Sequence, residues 1–338
     1  MPAAVCTHLY EYRQPTTTPV KLKKFLRQNH WHDRHRIRGQ LWKELCRYDG
    51  RLDAHIMTFQ ETRGKFGTEL SLKSTWLNMP GVVVDTHRLN QEGTVALNRI
   101  FCALEYTHPE IKAIPSLPPL VSLMLHYMSE EEAFACINAL LEKRQKYLLQ
   151  SGISVSAAKR TVLTLIRKHE HRAYGLLKKL IPGNDDSSLV PVFQDWKGWV
   201  LRDLPFQYLV RVIDCFLLEG QKVLFRVCMA IVHAWQKERG TEWRVRVGTN
   251  VRPDEISQDI SDFAEKIPIP VEKLLKVIFA VAGGVWFVYL PFFCPLGDSD
   301  IHLKDAQQSK TNSWVFGVSK IQFHAILNIS GIIRSLPL

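Results

Sequence analysis

No two cysteines of the sequence stand at C-x-x-C spacing, and the seven present, from Cys6 to Cys294, are an odd number. That pattern excludes a zinc ribbon and a disulfide framework and fits a reducing compartment. The first twenty residues carry prolines and a threonine triplet but no apolar core, so no secretory leader is expected and the chain is placed in the cytosol. Glycine-rich phosphate loops are missing: there is no G-x-x-x-x-G-K-[ST], no G-x-G-x-x-G and no G-x-S-x-G, so any nucleotide would be contacted only through a bound partner. No helix-turn-helix, RNP or zinc-finger pattern accompanies the positive charge, and nucleic acid is not expected as a partner. Internal repeats and low-complexity tracts are absent as well. Strand signals are scarce, limited to Val82-Val83-Val84 and to residues 244–247.

What is present is enough apolar material for a large core, 46% of 338 residues, and a charge excess of +11 that is unevenly spread. Residues 1–50 hold ten Lys and Arg against four Asp and Glu, and residues 141–180 hold ten against two; the remainder is close to neutral. Such concentrations attract anionic partners, although a solvated helix face is the plainer reading for 141–180. Helix-period apolar patterns recur along most of the chain, so the fold class expected is all-α. Leu22, Phe25 and Leu26 mark a short amphipathic helix and Ile37, Leu41 and Leu45 a second, with a His/Arg-rich turn between them. Residues 51–80 are weakly periodic. Residues 82–88 read as an extended loop, 93–107 as a strong helix, 120–128 as an apolar helix after a proline-rich run, and 130–149 as a helix capped by Ser129. Residues 155–181 form a basic helix or pair, 208–235 two buried helices broken at Glu219-Gly220, 239–253 a surface connection, and 256–264 and 271–281 two more helices.

Three segments follow one another in a recognisable order. Arg38-Gly39-Gln40-Leu41-Trp42 is R-x-x-x-W. Val82-Val83-Val84-Asp85-Thr86-His87-Arg88 is a variant of I-x-x-D-x-x-R, and His108-Pro109-Glu110-Ile111 precedes an apolar helix and Tyr127-Met128-Ser129-Glu130-Glu131-Glu132. With Asp195-Trp196 and Phe216-Leu217-Leu218-Glu219-Gly220 downstream, the chain resembles the TBC domain, the all-helical Rab GTPase-activating fold. The resemblance covers residues 22–281, and the segments 216–226 and 274–280 are similar to the Skywalker-type branch. That branch normally adds a C-terminal TLDc domain, for which the 57 residues after Val281 are too few. The expected organisation is an N-terminal extension over 1–20, a TBC domain over 21–281 and an unassigned tail over 282–338.

The resemblance implies a partner, a Rab-family small GTPase, and a site. Arg88 matches the arginine finger that stabilises charge on the transferred γ-phosphoryl group, and Asp85 three residues earlier could orient it. An ordinary surface ion pair is the plainer reading of the two. The family's second finger, a glutamine that positions water, falls on Pro115, which has no side-chain amide. Hydrolysis would then depend on the GTPase's own glutamine, and a catalytically silent adaptor is the alternative.

Lys23 and Arg27 are four residues apart on one expected helix, and Lys222 and Arg226 on another, so each pair projects from one face. By spacing alone these are two solvated faces; the resemblance implies that they join as the cationic pocket of Skywalker-type domains for phosphoinositide headgroups, and so a phosphoinositide-containing membrane as second partner. His30, His32 and His35 lack a clustered carboxylate or cysteine, so no metal and no cofactor is expected. Residues 277–296 carry no charge, but Gly283-Gly284, Pro291 and Pro295 break the run, which favours a peripheral over a spanning membrane contact. The expected location is cytoplasmic, peripheral on vesicle or endosomal membranes.

Overall fold

The computed structural model describes residues 19–47, 51–66, 74–78, 87–111, 114–142, 148, 152–181, 183 and 185–280. Among them there are helices and turns and no strand. Helix α1 (Pro19–Gln28) buries Leu22 and Leu26 and exposes Lys24; Asn29 closes it by donating from Nδ2 to the Leu26 carbonyl at 2.8 Å. After the His/Arg-rich turn comes α2 (Ile37–Cys46).

Helix α3 (Leu52–Phe66) lies where only weak periodicity was expected. Its buried face is Leu52, His55, Phe59 and Thr62, a correct helical spacing of which two members are polar. Those polar groups are satisfied on the inside, His55 Nδ1 by the Asn138 amide at 2.9 Å and Thr62 by the Thr58 carbonyl at 2.7 Å. A 3₁₀ turn (Trp76–Asn78) follows, then α4 (Gln91–Thr107), capped by Asn90 accepting from the Gly93 amide at 2.8 Å.

Helix α5 (Leu117–Leu125) starts earlier than expected because Pro118 and Pro119 sit in its first turn, where no amide hydrogen is needed. Helix α6 (Glu130–Glu142), beyond which residues 143–147 lie outside the described residues, opens with a reciprocal cap in which Ser129 and Glu132 each accept from the other's backbone amide, at 3.3 and 3.0 Å. The basic stretch forms the pair α7 (Gly152–His169) and α8 (His171–Leu180), followed by an irregular segment of short turns through Asp203.

Two buried helices then run through the middle of the fold, α9 (Phe206–Glu219) and α10 (Lys222–Val245), parted by Gly220 at φ 81°, a left-handed conformation that glycine adopts freely. Helix α10 continues well into the stretch expected to be a surface connection. Its polar C-terminal half hides Gly240 and Trp243, and Asp259 of α11 (Pro253–Glu265) gathers the indole N–H groups of Trp235 and Trp243, both at 2.7 Å, with Arg239 beside them. Residues 244–247 therefore end a helix rather than form a strand. The described chain closes with α12 (Val271–Ala280).

The R-x-x-x-W motif of α2 spans the interior. Arg38 and Trp42, one turn apart on one face, both reach the fully buried Asp214 of α9, Arg38 Nε at 3.2 Å and Trp42 Nε1 at 2.8 Å. The remaining donors of Arg38 bond the carbonyls of Trp31 at 3.1 Å, Asp33 at 3.0 Å and His32. Burial pushes the Asp214 carboxyl up, and the Arg38 guanidinium and Trp42 indole oppose that shift. Gly39 lies under Tyr127, where a Cβ would run into the Tyr127 carbonyl oxygen. A buried guanidinium left without its carboxylate is strongly destabilising, so Asp214→Ala is expected to lower unfolding free energy by about 3–5 kcal/mol in urea titration. A loss below about 1 kcal/mol would show that the carbonyl bonds suffice for Arg38.

Candidate functional site

Arg88 stands in a short turn directly ahead of Asn90, the cap of α4. His87 and Arg88 have φ of 46° and 61°, two successive side-chain-bearing residues in the left-handed region, which costs on the order of 1–2 kcal/mol each. Such a conformation persists only when its surroundings impose it. Here the His126 imidazole, just past the end of α5, donates from Nε2 to the His87 carbonyl at 2.9 Å. Phe206, the first residue of α9, offers its ring to His87, His126 and Tyr127 with centroids at 6.3, 5.1 and 6.2 Å. The backbone is thus clasped while the Arg88 side chain is exposed, with no hydrogen bond or ion pair to another described residue. Asp85 and the rest of residues 79–86 lie outside the described residues. Pro115 is exposed in the turn before α5, at the opposite end of that helix from His126, a separation of about 14 Å along the axis.

A second constellation forms where α1 crosses the junction of α9 and α10. Glu219, the last residue of α9, has a side chain 2% exposed and is surrounded by cations. Arg27 grips it side-on, Nε at 2.9 Å and Nη2 at 2.6 and 2.7 Å, while Lys222 Nζ is 3.6 Å and Arg226 Nη1 3.7 Å away. Lys23, one turn before Arg27, is near enough to Lys222 to act on it electrostatically. Burial pulls the Lys222 ammonium down and Lys23 and Arg226 add to that, against Glu219; burial likewise lowers Arg226, with Arg27 adding to it. Phe279 of α12 supplies an aromatic wall, its ring centroid 4.2 Å from the Arg27 guanidinium and 5.7 Å from that of Arg226. Arg27, Lys222 and Arg226 therefore meet at Glu219 from two helices that are remote in the chain, with Lys23 one turn before Arg27 acting on Lys222.

Glu219 and Phe279 are site residues that the sequence places in motif segments without marking their role. Both stand inside apolar runs and read as ordinary helix residues; the signal for Glu219 was its place three residues before Lys222 across a glycine break. His126 and Phe206 left no signal, because the one bonds a backbone carbonyl and the other packs against rings remote in the chain. In the histidine-rich turn, His32 and His35 accept the backbone amides of Arg34 and Ile37 at 3.2 and 3.3 Å, and His30 lies 3.9 Å from Glu272. No group of three or more His, Cys, Asp or Glu side chains among the described residues could hold a metal ion. None of the described helices is long and apolar enough to cross a membrane, and of the uncharged run 277–296 only residues up to 280 are described.

Residues 35–239 match the model of the Rab-GTPase-TBC domain. The chain is 35% identical to the GTPase-activating protein skywalker of Drosophila melanogaster over 78% of its own length and 45% of that protein, and 29% identical to TBC1 domain family member 24 of Xenopus laevis over 77% and 46%. It spans a little under half the length of these relatives. Among solved structures, the TBC domain of Drosophila Skywalker in complex with inositol(1,4,5)triphosphate superposes with a TM-score of 0.66 at 33% identity, covering 82% of this chain and 95% of that one.

The clasp on the Arg88 turn can be probed with trypsin, which cuts after arginine. His126→Ala is expected to speed cleavage at Arg88 at least about threefold, followed by mass spectrometry, with the thermal midpoint unchanged. Equal cleavage rates would mean that the imidazole does not hold the turn.

Proposed function

The chain belongs to the Rab-GTPase-TBC domain family, and on that premise we propose that it activates GTP hydrolysis by a Rab-family GTPase at phosphoinositide-bearing vesicle membranes. The observation that carries the reading is the exposed Arg88 on a backbone clasped by His126 and Phe206. A guanidinium presented by a rigid turn can enter a GTPase's nucleotide site without first being ordered. There it neutralises charge that develops on the γ-phosphoryl oxygens, a contribution of about 10³–10⁵ in rate for such fingers. Asp85 is the proposed orienter of Arg88. Pro115 offers neither donor nor acceptor to water, so the attacking water is positioned by the GTPase's own glutamine.

Membrane recruitment is proposed for Lys23, Arg27, Lys222 and Arg226. Three cations around one carboxylate leave two surplus positive charges, Lys23 one turn before Arg27 adds a third, and ammonium and guanidinium donors suit the several oxygens of a phosphorylated inositol ring. The solved Skywalker domain with inositol(1,4,5)triphosphate supports the same chemistry by similarity. The proposed domain spans 21–281, acting in the cytoplasm and peripherally on vesicle or endosomal membranes. A second reading is an adaptor that binds GTPase and headgroup without accelerating hydrolysis. The residue favouring it is Pro115.

The test of the first reading is a screen of GTP-loaded Rabs, followed by Arg88→Ala on the best of them. The variant is expected to stimulate hydrolysis at least about tenfold less, with unaltered thermal midpoint. Equal stimulation removes Arg88 from the chemistry, and no stimulation of any Rab by the parent chain leaves the adaptor.

Headgroup binding is checked by flotation with phosphatidylcholine vesicles doped with phosphatidylinositol bisphosphate. Neutralising Lys23 or Arg226 to Gln should cost several-fold more binding than Lys179→Gln, a control on the exposed face of α8. Lys178 is the poorer control because it contacts the carbonyls of Gly183 and Asp185 at 3.3 and 3.4 Å. Equal losses would mean diffuse attraction without a pocket.

A further inference from the structure

Glu219 is an odd residue to find at the floor of a site for anions. Its side chain is 2% exposed, whereas those of Arg27, Lys222 and Arg226 are 28%, 28% and 11% exposed, so the cations line the open side and the carboxylate lies behind them. Both carboxylate oxygens are engaged by Arg27, whose Nε and Nη2 are consumed in that grip. Only Nη1 of Arg27 is left without a hydrogen bond to a described residue. The Phe279 ring lies 4.2 Å from the same guanidinium and limits how far it can swing away.

We propose that Glu219 is a resident counter-anion which occupies Arg27 in place of a phosphate, so that headgroup binding is an exchange in which Arg27 passes its donor edge from carboxylate to phosphate. The inference rests on the headgroup reading above and adds to it what sets the affinity. In the empty site a side-on carboxylate satisfies the most strongly gripping donor and keeps four neighbouring cations from repelling one another. An arriving phosphate meets Lys23, Lys222 and Arg226 first, and gains Arg27 only by competing with an acceptor already in place. The same carboxylate lowers the potential that the ligand feels, by an amount that grows with the ligand's own charge. Affinity is thereby held down, most of all for the multiply phosphorylated rings, and the contact is kept reversible.

A carboxylate that only organised Arg27 would give opposite signs, and a double-mutant cycle separates the two. Binding is read by titration calorimetry with soluble inositol triphosphate and inositol monophosphate, and by flotation with the bisphosphate-doped vesicles, for the parent chain, Glu219→Gln, Arg27→Gln and the double variant. Competition predicts that Glu219→Gln binds inositol triphosphate at least about threefold tighter, with a smaller gain for the monophosphate, and that Arg27→Gln costs more in the Glu219→Gln background than in the parent. Weaker or unchanged binding by Glu219→Gln, or a smaller cost of Arg27→Gln in that background, overturns the exchange. Circular-dichroism melts accompany each variant. If Glu219→Gln does not fold, Glu219→Asp serves instead: it keeps the charge and withdraws it by one methylene from Arg27, so tighter binding supports the exchange and weaker binding refutes it. Binding of the soluble ligand without the vesicle identifies a free inositol phosphate as occupant and leaves the exchange standing. Absence of binding by parent and variants to either probe overturns the headgroup reading itself, and the exchange with it.

Discussion

The pairing of Arg38 and Trp42 with Asp214 is the constraint on which the rest of the molecule hangs. It fixes α2 against the middle of α9, and the same guanidinium pins the carbonyls of the 31–33 turn, whose Asp33 carbonyl also accepts from the Tyr127 hydroxyl. The start of α9 is thereby registered against Tyr127 and His126, where Phe206 supports the Arg88 turn. Its end, Glu219, is registered against α1, where Arg27 waits. A 14-residue helix is about 20 Å long, so one rigid rod separates the candidate finger from the candidate headgroup site. A GTPase engaged at one end and a membrane lipid at the other would be held at a distance set by that rod.

Much of this was legible in the sequence, for physical reasons. Apolar residues at helical spacing read through wherever one face is buried among hydrophobic neighbours, as in α4, α9 and α12. The pattern fails where the buried face is partly polar. His55 and Thr62 dilute the stripe of α3, and Arg239, Gly240 and the hydrophobic but isolated Trp243 disguise the end of α10, because a polar side chain can be interior once its partner is interior too. Periodicity counts apolar groups and is blind to hydrogen-bonded ones.

The candidate sites divide along the same line. Four cations were found because their i,i+4 spacing is a one-dimensional property of each helix; that the two pairs meet depends on α1 packing across the α9–α10 junction, which spacing cannot express. Arg88 stood out through its motif, yet the features that hold it, a carbonyl–imidazole bond and an aromatic contact with Phe206, belong to residues with no local peculiarity. Asp214 is the partner that makes sense of R-x-x-x-W, and it lies 176 residues from Arg38 in a helix that otherwise reads as apolar.

The buried carboxylates Asp214 and Glu219 and the half-buried Asp259 differ in their partners. Asp214 takes a guanidinium and an indole; Asp259 takes two indoles and a guanidinium. Neutral donors complete each shell; Asp259 has Arg239 as its one ion-pair partner among the described residues, and Asp214 has Arg38, with the buried Arg211 acting on it as well. Glu219 has no indole and no neutral donor among its described partners, only Arg27, Lys222 and Arg226, with Lys23 behind. Ion pairing for stability alone would need one of those cations, since each further one is desolvated at a cost its share of the carboxylate cannot offset. The burial-lowered Lys222 and Arg226 record that cost. Surplus positive charge on the open side of a buried acid is the arrangement that a polyanion would complete, as the proposed headgroup site requires.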